Sequence, residues 1–110
     1  MAIQKWSEEV TLAELGDDPL FSDELGGLLA DLDQTPSDVV LNLGAVSFVN
    51  SSNVAQLLRL RKQITNIERR LVLCGVNSQV WGVFQVTGLD KIFQFTNNVS
   101  TALAALQIEK

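Results

Sequence analysis

The chain of 110 residues has no histidine, no tyrosine and a single cysteine. Without histidine it lacks the most common general base, so a serine nucleophile would have no obvious activator. A zinc site of the usual composition is also excluded, because such sites draw their ligands mainly from cysteine and histidine. Cys74 cannot form an internal disulfide, and the apolar run that contains it predicts a buried structural thiol. We therefore expect no enzymatic activity and no metal or other cofactor.

Long hydrophobic runs are missing as well. Apolar residues make up 46% of the sequence, but no run approaches the ~18 consecutive apolar residues that span a bilayer. The amino-terminal segment has neither the basic start nor the apolar stretch of a secretory signal. These features predict one cytoplasmic domain over residues 1–110, without direct insertion into a membrane.

The motifs of nucleotide-binding enzymes and serine hydrolases are also absent. The sequence contains no glycine-rich phosphate loop, no dinucleotide fingerprint and no nucleophile elbow. The acidic pairs at residues 17–18 and 31–33 could bind a hard cation, but helix-terminus electrostatics accounts for them more simply. The absence of these motifs gives no support to an enzymatic function.

Basic residues are scarce in the first third of the chain. Residues 1–38 hold ten acidic residues against Lys5, whereas residues 39–110 hold three acidic and seven basic residues, which together give a net charge of −5. Nucleic acid is an improbable partner, because phosphate contacts with basic groups supply most of the non-specific affinity. The later bases form either a positive patch for an acidic protein surface or an ordinary solvated helix face: Arg59, Arg61, Lys62, Arg69 and Arg70.

Hydrophobic periodicity predicts the element order ββαβαβαβα. Helices between strands require right-handed crossovers, which gives an α/β fold with a mixed, largely parallel sheet of about five strands and about four helices. We expect two strands within Ile3 to Leu15 and three more at Asp38 to Leu43, Leu71 to Cys74 and Ile92 to Phe95. The first helix begins with an aspartate cap and has Pro19 as its first residue. The other helices are expected at Ser51 to Ile67, at Ser78 to Thr87 (ended by Gly88) and at about Val99 to Leu106 (capped by Asn97 or Asn98).

The helix predicted at Ser51 to Ile67 has two distinct sides. One arc is apolar and needs a core: Val54, Leu57, Leu60, Ile64 and Ile67. The opposite arc is small or polar: Ser52, Ala55, Arg59, Lys62 and Gln63. Leu58 lies outside the apolar arc, so it is either an isolated surface leucine or a contact residue. The two serines place hydroxyl groups at the positive end of the helix dipole, where an anion is favoured.

Three segments resemble the STAS domain of anti-sigma factor antagonists: VVLNLGAVSFVNSSNVAQLLRLRKQI, LVLCG and TGLDKIF. The resemblance implies the STAS fold and a partner kinase that also acts as an anti-sigma factor. It places the phosphoacceptor on Ser52, with Ser51 as the alternative, and makes binding of the unmodified protein reversible by phosphorylation. The residues expected to contact the partner are Asn50, Ser51, Asn53, Ala55, Leu58, Arg59 and Lys62.

The chain departs from the family pattern at three positions. Asn50 and Asn53 stand where the family turn usually has an aspartate and a glycine, and Asn42 replaces a strand aspartate. An aspartate that family members often place near the phosphosite corresponds to Asp17 or Asp18. Asn50 retains the ability to cap the helix.

Other readings of the same residues stay open. Ser51 and Ser52 could serve only as helix caps. The chain could instead be a non-phosphorylated STAS adaptor, for example on the ATPase of a membrane transporter. A small-ligand site at the strand ends is a third possibility.

Overall fold

The computed structural model describes the backbone of residues 3–108 and the side chains of residues 3–106. Five strands and four helices alternate along the chain in the predicted order, with a short 3₁₀ turn at Leu89–Lys91 before the last strand. The strands are β1 (Ile3–Lys5), β2 (Val10–Gly16), β3 (Asp38–Ala45), β4 (Leu71–Cys74) and β5 (Gln94–Thr96), and the helices are α1 (Leu20–Gln34), α2 (Ser51–Asn66), α3 (Ser78–Thr87) and α4 (Val99–Ile108).

The five strands form one sheet in the order β1-β2-β3-β4-β5. The edge strand β1 is antiparallel to β2, and the other neighbouring pairs are parallel. The predicted mixed, largely parallel α/β fold is therefore confirmed. In this arrangement the carboxyl ends of β2 to β5 lie at one edge of the sheet, and the loop from β3 to α2 leaves from that edge.

Each face of the sheet is covered by its own apolar cluster. The larger cluster joins the sheet to α1, α2 and α3 through residues such as Leu28, Leu57 and Phe84. The smaller cluster joins the sheet to α4 through Val40, Cys74 and Leu106. Alternation of side chains along β3 sends Val40 to one face and Val39 and Leu41 to the other. This burial on both faces explains why β3 reads as a nearly continuous apolar run.

The last strand begins later than predicted. The left-handed glycine Gly88 (φ +77°) ends α3 as expected, but the backbone N–H groups of Ile92 and Phe93 then donate to the carbonyl of Leu89. Ile92 and Phe93 are therefore excluded from the strand, Ile92 is 44% exposed, and β5 spans Gln94–Thr96.

The start of α1 also differs from the prediction. Pro19 occupies the N-cap position instead of the first helical position, and the helix begins at Leu20. The reason is that the carbonyl of Asp17 accepts from the Leu20 N–H, and the Asp18 carboxylate accepts from the Ser22 N–H at 3.0 Å. For α4, Asn98 is the cap, because its side chain accepts from the Thr101 N–H at 2.8 Å.

Candidate functional site

The loop between β3 and α2 is held to the body of the protein at three points. Val46 and Val49 are buried in the core, and the Ser47 N–H donates to the Asp17 carboxylate at 2.8 Å. Phe48 lies between these anchors with 60% of its surface exposed. The loop therefore presents a phenyl ring to solvent from a fixed backbone, two residues before the cap of α2.

Strand β3 approaches the glycine that follows β4 closely. The side-chain oxygen of Asn42 accepts from the Gly44 N–H at 2.9 Å. A Cβ atom on Gly75, whose φ is +72°, would lie 2.8 Å from that oxygen. Gly75 is thus required both for its left-handed backbone and for the space it leaves.

Helix α2 is capped by a reciprocal pair of asparagines. The Asn50 side chain accepts from the Asn53 N–H at 2.9 Å, and the Asn53 side chain accepts from the Asn50 N–H at 3.1 Å. This is a capping box with asparagine in both roles. The alternative in which Ser51 or Ser52 serves as the cap is wrong, because Asn50 occupies the N-cap position.

The two serines are the first residues of α2, and both are exposed. Within residues 3–106 neither hydroxyl has a hydrogen-bond partner. The first N–H groups of a helix have no partner within the helix, and here the cap satisfies that of Asn53. A group attached to either serine therefore meets solvent, with unpaired N–H groups and the positive end of the helix dipole nearby.

Ser51 and Ser52 lie on different stripes of α2. Ser51 lies on the same side of the helix as Ala55, Leu58 and Lys62, because their spacing aligns them along α2. All four residues are exposed. Ser52 is in line with Gln56 and Gln63, whose side chains contact α1.

Contacts with α1 identify the side of α2 on which Ser52 lies. Gln56 accepts from the Ser22 hydroxyl at 3.3 Å, and Gln63 donates to the Leu29 carbonyl at 3.1 Å. Ser52 therefore lies on the shoulder next to α1, while Ser51 points outward. Gln63, which the helical wheel placed on the polar arc, is only partly exposed because its amide reaches across to α1.

Asn53 is not a surface residue. It is 3% exposed, and its side-chain amide donates to the Asp18 carboxylate at 3.0 Å and to Gln56 at 3.3 Å. The expectation that Asn53 contacts a partner is therefore wrong for its side chain. The same spacing argument that found the core could have found it, because Asn53 is in line with Leu57, Leu60 and Ile64.

The carboxylates of the β2–α1 turn are both held in their ionised form. Hydrogen bonding with Ser47 lowers the pKa of Asp17 below its usual value of 3.8. Hydrogen bonds from Ser22 and then from Asn53 lower the pKa of Asp18 in the same way. The sequence had aligned an aspartate of this turn with the phosphosite, and the Asp18–Asn53 contact brings it to the start of α2.

The outer face of α2 consists of the predicted site residues that remain exposed: Asn50, Ser51, Ser52, Ala55, Leu58, Arg59 and Lys62. Leu58 is 38% exposed, as its position outside the apolar arc predicted. Arg59 and Lys62 give this face a positive charge near its centre.

Arg69 and Arg70 do not extend this positive face. Arg69 forms a salt bridge with Asp38 at 3.3 Å, and Arg70 donates to Gln94 at 2.8 Å. Both arginines precede β4, at the opposite edge of the sheet from the serines. Both arginines are partly buried and paired with groups outside α2.

Sequence reasoning missed two exposed apolar residues beside the serines. Phe48 is 60% exposed and Leu20 is 56% exposed, and the hydrogen bonds of Asp17 to Ser47 and Leu20 join the segments that carry them. A phenylalanine in a short loop between a buried strand and a helix is the signal that could have revealed the first of them.

Two cavities lie away from the serines. One of about 560 Å³ lies between β1 and α1 and is lined by residues that include Ile3, Lys5 and Gly27. The other, of about 250 Å³, lies at the carboxyl end of β5 between Trp81 and Phe95.

The sequence was compared with known protein families. The STAS domain family matches residues 2–102 of the sequence. The chain belongs to the STAS domain family. Its fold, with α2 beginning at the carboxyl end of a central strand, is the fold expected from the resemblance.

Individual STAS relatives agree with this assignment. BtrV of Bordetella bronchiseptica, described as an anti-sigma factor antagonist, is 32% identical over 80 residues, which cover 73% of this chain and 69% of BtrV. The structure of SpoIIAA in its unphosphorylated form superposes with a TM-score of 0.81 at 17% identity, covering 96% of this chain and 94% of SpoIIAA. The phosphorylated form of SpoIIAA, a Bacillus cell fate determinant, gives 0.74 at 17% identity over 94% and 95% of the two chains. At this identity the two SpoIIAA structures establish the shared fold.

The helices of this STAS domain are short. Within residues 3–108 no helix combines the length and the apolar character needed to cross a membrane.

Proposed function

We propose that this STAS domain is a cytoplasmic anti-sigma factor antagonist that is switched by phosphorylation of Ser52. Its partner is a serine kinase that also holds a sigma factor inactive. The observation that carries the proposal is the pair of exposed, unpartnered hydroxyls at the first two positions of α2. The described function of the relative BtrV supports the same class of partner, and SpoIIAA shares the fold and is known in a phosphorylated form.

The chemical step transfers the γ-phosphoryl group of ATP to the serine. Ser52 Oγ forms a bond to the γ-phosphorus, the bond from that phosphorus to the β–γ bridging oxygen breaks, and ADP leaves. The hydroxyl proton passes to a base on the kinase. The phosphoserine then carries about −1.5 to −2 charges at a helix amino terminus, where negative charge is stabilised. Modification should therefore leave α2 folded.

Ser52 is the better acceptor of the two on both lines of reasoning. The acceptor implied by the resemblance corresponds to Ser52, and Ser52 lies on the α1-facing shoulder of α2. A kinase that docks on the outer face of α2 would meet Ser52 beside the Asp18–Asn53 contact. Ser51 lies on the exposed side of α2 with Ala55 and Leu58.

Partner binding involves the outer face of α2 together with Phe48. The exposed ring and Leu58 offer apolar anchors, while Arg59 and Lys62 favour an acidic partner surface. A phosphate on Ser52 adds about −1.5 to −2 charges to the edge of this face. The unmodified protein would bind the kinase and release the sigma factor, and the phosphorylated protein would dissociate.

The phosphorylation test uses the full chain, Mg-ATP and the anti-sigma kinases of the source organism, with the modified residue located by mass spectrometry. We expect one phosphate, on Ser52. Ser52→Ala should abolish it, and Ser51→Ala should keep it. If none of the kinases modifies either serine, the proposed switch is wrong.

A binding experiment separates the switch from the adaptor function. Ser52→Glu should weaken kinase binding by at least about tenfold, since charge introduced at an interface opposes association. Phe48→Ala should weaken it as well, while Val86→Ala, which changes a side chain 89% exposed on α3, serves as the matched control. A stable complex with a transporter ATPase that Ser52→Glu leaves intact would favour the adaptor instead.

A further inference from the structure

Asn53 is the buried polar residue nearest to the proposed phosphosite. It is 3% exposed, although the matching position of the family turn usually holds a glycine. Each polar atom of its side chain is used: the oxygen accepts from the Asn50 N–H, and the nitrogen donates to Asp18 and Gln56. A buried amide is costly unless its hydrogen bonds are made. This full set of partners therefore specifies one orientation of the side chain.

The Asp18 carboxylate is the other half of this contact. One oxygen accepts from the N–H and the hydroxyl of Ser22, at 3.0 and 2.7 Å, and the other accepts from the Asn53 amide at 3.0 Å. We call the pair Asp18 and Asn53 the clasp. It joins the first turn of α1 to the first turn of α2 across 35 residues of sequence.

We propose that Asn53 is a positioning residue for Ser52, and that the clasp regulates how readily Ser52 accepts phosphate. The inference rests on the proposed function. Ser52 directly precedes Asn53 and lies on the shoulder of α2 that faces α1. The clasp fixes the first turn of α2 relative to α1, and with it the direction in which the Ser52 hydroxyl points. Asn53 itself does not touch the kinase or ATP.

The donor and acceptor pattern of the clasp provides a specific test. In Asn53→Asp, the side chain still accepts from the Asn50 N–H, but two carboxylates then face each other across the 3.0 Å contact. In the double variant Asp18→Asn with Asn53→Asp, the donor and acceptor exchange places. The amide at position 18 then donates to the carboxylate at position 53 and still accepts from the Ser22 N–H.

The experiment measures kcat and KM for phosphorylation of Ser52 in the wild type, Asn53→Asp, Asp18→Asn and the double variant. The matched control is Asn66→Asp, the same change at an exposed site at the far end of α2. We expect Asn53→Asp to lower kcat/KM about tenfold and the double variant to return it to within about threefold of the wild type. The control should behave as the wild type.

Thermal unfolding of every variant shows whether the protein is folded, and phosphopeptide mapping gives the ratio of phosphate on Ser52 and Ser51. Positioning is supported if Asn53→Asp is fully folded at the assay temperature, is phosphorylated more slowly, and regains its rate in the double variant. Phosphate on wild-type Ser52 with an unchanged rate in Asn53→Asp would overturn this inference alone. No phosphate on the wild type would overturn the proposed function, and the inference with it.

Discussion

Two asparagine side chains form the cap at the start of α2. Asn50 accepts from a helix N–H as an aspartate would, and Asn53 adds a donor that a carboxylate lacks. That donor pairs with the ionised Asp18, whose pKa is lowered by Ser22 and Asn53. The cap thus satisfies the Asn53 N–H without adding a negative charge to the start of α2.

The cap of α2 can be tested by a single substitution. Asn50→Ala removes the acceptor for the Asn53 N–H and should lower the free energy of unfolding by about 1 kcal/mol. Asn50→Asp keeps the acceptor and places a charge at the positive end of the dipole, so it should be at least as stable as the wild type. Urea denaturation measures both. Equal stability of Asn50→Ala and the wild type would contradict the role assigned to this cap.

Single residues were only partly predictable from the sequence. Exposure of Leu58 and burial of Cys74 followed from their positions in the hydrophobic pattern. The position of Asn53 on the helix indicated its burial, but its partner Asp18, 35 residues away, could not be predicted. A helical wheel shows which residues share a side, but it does not show a partner on another element.

At the scale of the element, α2 separates stability from recognition. Leu57, Leu60 and Ile64 are buried against the sheet and α1, whereas Leu58 and Lys62 are exposed. Adjacent residues of this helix therefore have different roles, one in the stability of the fold and the other at the exposed surface. Its amphipathic pattern was sufficient to predict both the helix and its inner side.

Two neighbouring leucines on α2 allow this separation to be measured. Leu57→Ala removes a fully buried side chain and should lower the free energy of unfolding by about 2–5 kcal/mol. Leu58→Ala should change it by less than about 0.5 kcal/mol but weaken kinase binding about tenfold. Urea denaturation and calorimetric titration provide the two readouts. Similar stability of the two variants would show that the assignment of sides is wrong.

Element boundaries were predicted well where caps mark them and poorly where a 3₁₀ turn intervenes. Gly88 ended α3 as its type predicts. The run from Ile92 to Phe95 is apolar enough for a strand, yet the carbonyl of Leu89 captures the N–H groups of Ile92 and Phe93. This competition between a local turn and strand pairing is decided by backbone geometry, which residue composition does not encode.

At the scale of the whole molecule, the β2–α1 turn and the β3–α2 loop are joined by carboxylate hydrogen bonds. Asp17 holds the Ser47 N–H, and Asp18 holds Asn53. The element order and the hand of the crossovers were enough to predict a mixed, largely parallel sheet, but not the order of its strands. The two carboxylate hydrogen bonds could not be predicted from the sequence, because they depend on which loops meet at one edge of the sheet.

The two carboxylates make a pH-dependent contribution to folding. Because the native pKa values of Asp17 and Asp18 lie below 3.8, their stabilisation is fully present above that value and is lost as the pH falls through the native pKa values. The urea midpoint should therefore fall as the pH drops below about 3.8. Asp17→Asn combined with Asp18→Asn should fall less steeply. An equally steep decline in this double variant would contradict the assignment.

The burial of Cys74 determines how the protein can be labelled with thiol reagents. Burial raises the pKa of its thiol to about 11, and it is the only cysteine in the chain. Since thiolates are the reactive species, maleimide dyes and mild oxidants should leave the native protein untouched. A cysteine introduced at an exposed position such as Val86 would then be the sole reactive handle, suitable for attaching a fluorophore without first deleting the natural one.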